Sequence, residues 1–330
     1  MYPAVRDAML ISLFPALAEG ARALGVTALE LELAADLTLP RLDGPGRLPV
    51  WSAETIVDYR EHLAAQGITL CAVLAPWIAP QNPYDLAQLD IMDGRLPPGT
   101  VGGAGFTYIL GTDDQGRDMF SGILYGLRIS LMVGAGSACI AFVVGTCLGL
   151  LAAYFGGRTE MALMRLVDLQ LSFPPILRAL VLVAILGQGL FQVVAALVAA
   201  QYAYFARTVH GAALAERRKE YIEAASGIPL HPARVVWRHL LPNCLPPLIV
   251  VATVQVANAI AIEATLSFLG VGMPVTEPSL GTLISNGFQF MLSGRYWISV
   301  YPGIALLVTI VVINLVGDQL RDVLNPRLRK

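Results

Sequence analysis

Few side chains in this sequence are placed to carry out chemistry. A phosphate-binding loop requires a lysine directly after a glycine-rich turn, yet the only lysines are Lys219 and Lys330, and neither follows glycines. The four cysteines form no CxxC pair, and His210, His231 and His239 lack metal-ligand spacing. We therefore expect this chain to contain no nucleotide site, no metal site, no cofactor and no catalytic residue.

One acidic residue interrupts an otherwise uncharged apolar stretch. Glu263 is the single charge in residues 244–269, and an acid inside a membrane is a candidate functional group by default. We predict that Glu263 contributes to a transport pathway or to gating, with helix packing as the alternative. Gln255 and Asn258 lie on the same segment, where they could line a pathway or form hydrogen bonds between helices.

The longest polar interval between apolar segments has the pattern of a helical hairpin. Strong helix formers predict a helix over residues 212–225. Pro229 and Pro232 punctuate a turn, and the second of these suits the first position of a helix over residues 233–240. We expect that helix to end before Pro242, because proline cannot donate a helical hydrogen bond.

The elements that would position these residues are membrane helices. The 330 residues are 56% hydrophobic and 14% charged, compared with about a quarter charged in a typical soluble domain. The net charge of −2 provides no basic face for nucleic acid. A bilayer-spanning helix needs about 20 apolar residues, and five segments meet or approach that length: residues 129–155, 169–186 (broken by two prolines), 190–206, 244–269 and 298–316. Residues 63–84 form a marginal first span, so we predict an all-α polytopic membrane protein.

The basic residues predict the orientation. Twelve Lys and Arg residues fall in residues 156–168, 207–243 and 317–330, whereas the alternate intervals carry only Arg295. The positive-inside rule therefore assigns the hairpin and the C-terminus to the cytoplasm. Asp168 lies near the cytoplasmic end of its span, where we expect it either to snorkel toward the membrane surface or to pair with Arg165, in preference to a role in transport.

The first third of the chain follows a different pattern. Apolar strand-like runs alternate with helical ones through residues 1–67, and residues 68–74 form a further strand-like run. Residues 20–32 resemble the start of sugar-phosphate isomerase/epimerase barrels, but too few strands are present for barrel chemistry. We therefore divide the chain into an atypical N-terminal segment, which is fused or has a mis-assigned start (1–67), a marginal span with an outer segment (68–128), and a transmembrane domain (129–330).

The hairpin is suited to docking, because small side chains at Ala224 and Ala225 would let another protein approach closely. A solvated loop without a partner is the alternative. The hairpin resembles the EAA loop of ATP-binding-cassette (ABC) importer permeases, which docks in a cleft of the ATPase subunit. The matching residues are Glu223, Ala224, Ala225, Arg234, Arg238, His239, Leu241, Pro242 and Asn243. The resemblance implies that this loop, including Gly227 and Pro229, couples transport to the ATPase. Pro229 stands where the family has glycine.

Further motifs extend the resemblance to most of the chain after residue 72. Similar stretches of dipeptide, oligopeptide and nickel permeases, in the same order, match residues 110–118, 125–131, 166–174, 263–270 and 317–329. The sequence is most similar to the second permease type, the C subunit. The resemblance implies a bacterial inner-membrane protein that forms a heterodimer with a sister permease. It also implies two ATPase subunits that bind ATP and Mg, and an extracytoplasmic solute-binding protein.

One alternative function and the identity of the cargo remain open at this stage. A secondary transporter or channel without ATPase partners would require internal inverted repeats and several intramembrane acids. No such repeat is evident in the sequence, and Glu263 is nearly alone as an acid within the predicted spans. The cargo also stays open, because permeases for dipeptides, oligopeptides, nickel chelates and glutathione share these motifs.

Overall fold

The computed structural model describes residues 53–83, 85, 89–103, 105–222, 231, 234–274, 277 and 279–324. In this part of the chain the helices are α1 (Ala53–Ile78), α2 (Met119–Phe155), α3 (Gly157–Leu171), α4 (Pro175–Leu186), α5 (Leu190–Arg217), α6 (Leu241–Phe268), α7 (Leu280–Phe288) and α8 (Trp297–Leu324). A π-helical segment, Val235–Leu240, leads directly into α6, and two short 3-10 turns occur at Ile91–Asp93 and Met291–Ser293. The strands β1 (Thr100–Val101) and β2 (Thr107–Tyr108) form an antiparallel hairpin. The predicted all-α architecture is confirmed.

Four helices are long and apolar enough to cross a membrane. They are α2, α5, the continuous helix Val235–Phe268 and the Trp297–Arg321 part of α8. A fifth crossing results if α3 and α4 are taken together as one broken span. These elements correspond to the five segments that the apolar pattern predicts.

The first of these spans begins ten residues earlier than predicted. Asp118 is the N-cap of α2, and its carboxylate accepts hydrogen bonds from the Ser121 backbone N–H (2.8 Å) and the Ser121 hydroxyl (2.6 Å). The capped turns contain Ser121, Tyr125 and Arg128, which lower the local hydropathy although the backbone is already helical. The apolar pattern therefore detects α2 only from residue 129.

The second predicted span is not a single helix. The α3 helix ends at Leu171, α4 begins at Pro175, and their axes differ by 93°. Neither Pro174 nor Pro175 can donate a backbone hydrogen bond, so the helical ladder cannot continue across them. The two helices form an elbow, and α4 alone has only 12 residues.

The marginal first span is helical, but its apolar part is short. Within α1, only Gln66–Ile78 is apolar, which is shorter than a bilayer crossing requires. The strand predicted over residues 68–74 is wrong, because these residues continue the helix. The strand and helix predictions for residues 1–52 lie outside the described residues. The domain boundaries after residues 67 and 128 stay predictions, and both positions fall inside helices.

Glycines allow close contact between α2 and α5. A Cβ added at Gly145 would overlap the carbonyl oxygen of Tyr202, and one at Gly149 would overlap the side chain of Val209. Small residues at such positions let two backbones approach, which favours association where water provides no hydrophobic drive. The α2–α5 pair forms the central scaffold, against which α3, α4 and α6 pack.

The segment before α2 is folded around two aspartates. The side chain of Asp93 accepts hydrogen bonds from the Gly103 N–H (3.0 Å) and the Tyr108 hydroxyl (3.2 Å). The Oδ1 atom of Asp113 accepts from the backbone N–H groups of Gln115 and Arg117, both at 2.8 Å. Because Asp113 is buried, its pKa is raised to about 6 in spite of these donors.

Candidate functional site

Glu263 lies on α6 and is completely enclosed by protein. Its exposed fraction is 0%. The Ser130 hydroxyl on α2 donates to Oε2 at 3.1 Å, and the Ser267 hydroxyl, one turn along α6, donates to Oε1 at 2.7 Å. Ser279, the N-cap of α7, also lies beside this carboxylate, and its hydroxyl is 3.1 Å from the Thr282 hydroxyl. Three separate elements therefore converge on one acid.

The serine hydroxyls are oriented toward Glu263 by the backbone. The Met273 N–H donates to the Ser267 oxygen at 3.1 Å, and the Thr282 N–H donates to the Ser279 oxygen at 3.2 Å. Because each oxygen already accepts a backbone proton, its own proton is free to point at the carboxylate. The arrangement stabilises contacts between helices, and Glu263 has no exposed surface in this conformation. Its role in a pathway, in gating or in packing stays a prediction.

Close backbone contacts surround this carboxylate. A Cβ added at Gly281 on α7 would overlap the backbone of Ala264 on α6, and one at Gly134 on α2 would lie 2.5 Å from Ile260. With no room for larger side chains, α7 is held tightly against α6. The sequence alone missed the three serines, although the four-residue spacing of Glu263 and Ser267 is a signal for such a contact.

The two amides near Glu263 on α6 have different surroundings. Gln255 is 3% exposed, and its backbone carbonyl accepts a hydrogen bond from the Gln201 side chain on α5 at 3.2 Å. Asn258 is exposed, and its amide donates to the Gln255 side chain at 2.9 Å. Gln255 therefore joins helices, whereas Asn258 presents a polar group on the surface of a span.

Only part of the predicted hairpin lies in the described residues. Glu223, Ala224, Ala225, Gly227 and Pro229 fall outside them. Four other predicted residues, Arg234, Arg238, Pro242 and Asn243, are described, and all have exposed side chains.

A hydrogen-bonded clamp joins the beginning and the end of this loop. The Tyr221 hydroxyl donates to Glu216 at 2.6 Å and accepts from the Asn243 side-chain amide at 2.9 Å. Lys219 forms an ion pair with Glu216 at 2.8 Å. Partial burial and the Glu216 carboxylate raise the pKa of Tyr221 to about 12, so the phenol keeps its proton and continues to donate. We call Glu216, Lys219, Tyr221 and Asn243 the loop clamp.

Apolar side chains anchor both ends of the loop beneath α2. Ile222, Val235 and Leu240 are each less than 5% exposed. Arg217 donates to the carbonyl of Ala153 near the end of α2 at 2.7 Å. The loop is thus fixed to the membrane helices at both of its ends.

The two predicted hairpin helices are extensions of the spans. Residues 212–217 are the last turns of α5, and the helix after the loop does not end before Pro242 but continues to Phe268. A π turn precedes Pro242, with the Leu241 N–H donating to the carbonyl of Val236. This turn resets the hydrogen-bond register, so that Pro242 occupies the first turn of α6, where a missing N–H costs least.

An ion pair and a hydrogen bond brace α3 against α5. Arg207 contacts Asp168 at 2.5 Å, and His210 Nε2 contacts Glu160 at 2.9 Å. The predicted pairing of Asp168 with Arg165 is therefore wrong, because the partner comes from the neighbouring helix instead of the preceding turn.

Comparisons with known proteins agree with this architecture. The family model described as the binding-protein-dependent transport system inner membrane component matches residues 145–330. A putative peptide transport system permease protein of Brucella suis is 39% identical over 262 residues, which cover 79% of this chain and 85% of that protein. The di/tripeptide transport system permease protein DppC of Pseudomonas aeruginosa is 36% identical with the same coverage.

A solved structure supports the fold. The MetNI methionine ABC transporter, in an inward-facing conformation, contains a chain that superposes with a TM-score of 0.51 and 22% identity. The superposition covers 63% of this chain and 98% of that one. At this level of identity, the likeness extends to the fold alone.

Proposed function

Because the chain belongs to the family of binding-protein-dependent transport system inner membrane components, we propose that it is the permease subunit of an ABC importer for peptides. The peptide cargo is supported by the names of relatives that are 36–39% identical over about four-fifths of the chain. Nickel chelates remain a second cargo class for the uptake assay to test.

The loop clamp is the observation that carries the coupling role. Both ends of the loop lie on membrane helices, and Tyr221 joins the first end to Asn243 at the second. A force applied to the loop by a partner would therefore move α5 and α6 together instead of only deforming the loop. In this proposal, residues 223–233 dock on a partner ATPase, with the exposed Arg234 and Arg238 flanking the contact.

The proposed assembly supplies what this chain lacks. Two partner ATPases bind ATP and Mg and hydrolyse ATP, a sister permease completes the pathway, and an extracytoplasmic binding protein delivers the cargo. The loop and the C-terminus face the cytoplasm of a bacterial cell, following the basic residues described above. When the ATPases close on ATP, the loop moves and the spans alternate between inward-open and outward-open states.

We assign a role in the transport pathway to exposed polar side chains on the membrane-spanning helices. Asn258 on α6 and Asn314 on α8 are both exposed, and an amide is poorly accommodated by lipid tails. We therefore propose that these two faces border the pathway or the sister permease. Gln255 supports Asn258 through its side-chain oxygen. Glu263 would act in gating by holding α7 in place.

The test is co-purification with the cognate ATPases and peptide uptake by the complete importer. Glu223→Arg should abolish both, because it places a positive charge in the docking segment. Glu220→Arg is the matched control, since Glu220 is an exposed acid three residues earlier, and it should leave both intact. Normal assembly and uptake with Glu223→Arg would contradict the proposal, and uptake by the purified chain alone would favour a secondary transporter or channel.

A further inference from the structure

Arg178 is a charged residue at the elbow between α3 and α4. It lies in the first turn of α4, one residue before the fully buried Ala179. Its electrostatic neighbour Tyr202 on α5 lies inside the predicted span 190–206, four residues from the cytoplasmic end, which places Arg178 within the membrane on its cytoplasmic side. Arginine at such a depth is costly and commonly marks a ligand or ion pathway.

The guanidinium of Arg178 is only half satisfied. Nη1 donates to the side-chain oxygen of Gln170 on α3 at 3.1 Å. Nε and Nη2 are buried and have no hydrogen-bond partner, and none of the ion pairs among the described residues includes Arg178. Leaving buried donors unpaired is expensive, most of all for a charged group. Binding of a hydrogen-bond acceptor between α3 and α4 is therefore favourable, because it would pair the Nε and Nη2 donors.

The two free nitrogens define the shape of that acceptor. Nε and Nη2 lie on the same edge of the planar guanidinium, and their parallel N–H groups match the two oxygens of one carboxylate. The backbone around them favours an anion as well. Arg178 lies at the start of a half-helix that begins inside the span, and such helix N-termini attract negative charge in transporters with broken helices.

We propose that Arg178 binds the C-terminal carboxylate of the peptide as it passes the elbow, and so selects cargo with a free carboxyl group. This inference rests on the proposed function. In the conformation described here the Nε–Nη2 edge is covered, so the carboxylate binds when the elbow opens. The junction between α3 and α4 suits such a movement, because Phe173 and Pro174 are exposed and the prolines leave the helical ladder interrupted.

The experiment uses the complete importer in proteoliposomes and two probes, trialanine and trialaninamide, which differ in the terminal carboxylate. For each probe, the uptake by a variant is divided by the uptake of wild type, which cancels the preference of the binding protein. Arg178→Met should lower trialanine uptake tenfold or more and change trialaninamide uptake less than twofold. The trialanine uptake of Arg178→Lys should lie between those of wild type and Arg178→Met, because lysine keeps the charge but cannot form the bidentate contact.

Two further variants separate a ligand role from a structural one. Gln170→Glu places a resident carboxylate against Arg178, so it should lower trialanine uptake although the elbow contact becomes stronger. If Arg178 served only to hold the elbow, this variant would leave uptake unchanged. Arg165→Met, which removes an exposed arginine from α3, is the matched control and should leave both probes unaffected.

Two results would overturn the inference. In the first, Arg178→Met lowers the uptake of both probes equally, and the sister permease is lost from the purified complex. Arg178 would then pair with an acid of that partner. The second is unchanged uptake of both probes. Failure of the wild-type importer to take up any peptide would instead overturn the proposed function, and the inference would fall with it.

Discussion

Replacing Glu263 tests how strongly one carboxylate holds the helices together. Glu263→Ala removes the carboxylate to which the Ser130 and Ser267 hydroxyls donate and beside which Ser279 lies, and all three serines are at most 3% exposed. Hydrogen bonds between membrane helices contribute about 0.6 kcal/mol on average and up to about 1.7 kcal/mol. The Ser267 bond lies within α6, so only the contacts with Ser130 and Ser279 join helices, and their loss should cost about 1–3 kcal/mol of folding free energy.

Glu263→Gln provides the matched comparison, because it keeps the size of the side chain. The glutamine oxygen can accept from Ser267, whose own oxygen is occupied by the Met273 N–H. The glutamine N–H₂ group can donate to Ser130, whose hydroxyl can turn to accept. Only the Ser279 contact is weakened, so we expect this variant to cost about 1 kcal/mol or less.

The assay is the unfolding temperature of the detergent-solubilised importer, measured beside peptide uptake. We expect Glu263→Ala to lower the unfolding temperature by several degrees and Glu263→Gln to stay close to wild type in both measurements. Equal unfolding temperatures for Glu263→Ala and wild type would refute the packing argument. A stable Glu263→Gln importer without uptake would show instead that the negative charge itself is needed for gating.

The remaining predictions concern the loop clamp and the segment before α2. Tyr221→Phe removes the hydroxyl between Glu216 and Asn243, so peptide uptake per ATP hydrolysed should fall severalfold. Assembly, measured by co-purification, should persist. Unchanged uptake per ATP hydrolysed would contradict the proposal that the loop clamp moves α5 and α6 together. For Asp113, the folded-state pKa of about 6 lies above the ordinary aspartate pKa of 3.8, so the folded state holds this proton more tightly than the unfolded chain. Stability should therefore decrease as the pH rises from about 4 to about 6, by at most about 3 kcal/mol. Asp113→Asn should raise the unfolding temperature above pH 6 but not at pH 4, and a pH-independent difference would contradict this assignment.

The sequence predicts the spans well because their signal is local. Twenty apolar residues must be helical in a bilayer, whatever their neighbours are. The break between α3 and α4 is also visible, since Pro174 and Pro175 stand in the middle of an apolar run. The start of α2 was missed because Asp118 and Ser121 form a polar cap that belongs to the helix but not to its apolar part.

The contacts that define the site are less predictable because they are not local. The Ser130–Glu263 bond joins residues 133 positions apart. Asp168 lies three residues after Arg165 in sequence, yet tertiary packing pairs it with Arg207 on α5. Pro242 favoured a helix end on local grounds, and the π turn that carries the helix past it has no clear sequence signature.

The α6 helix carries both Asn243, one residue of the loop clamp, and Glu263. Asn243 and Glu263 are 20 residues apart on α6, which is about 30 Å along a helix. If a partner moves the loop, either the Glu263 hydrogen bonds must break or the helix must bend between these residues.

Bending near Pro246 and Pro247 costs less, because these prolines leave the carbonyls of residues 242 and 243 without their helical donors. We therefore expect the helix to flex there. Replacing both prolines with alanine should raise the unfolding temperature, since proline costs about 3 kcal/mol relative to alanine inside a helix, and should lower peptide uptake per ATP hydrolysed. A stabilised double variant with full coupling would show that α6 moves as a rigid rod, and the strain would then fall on Glu263.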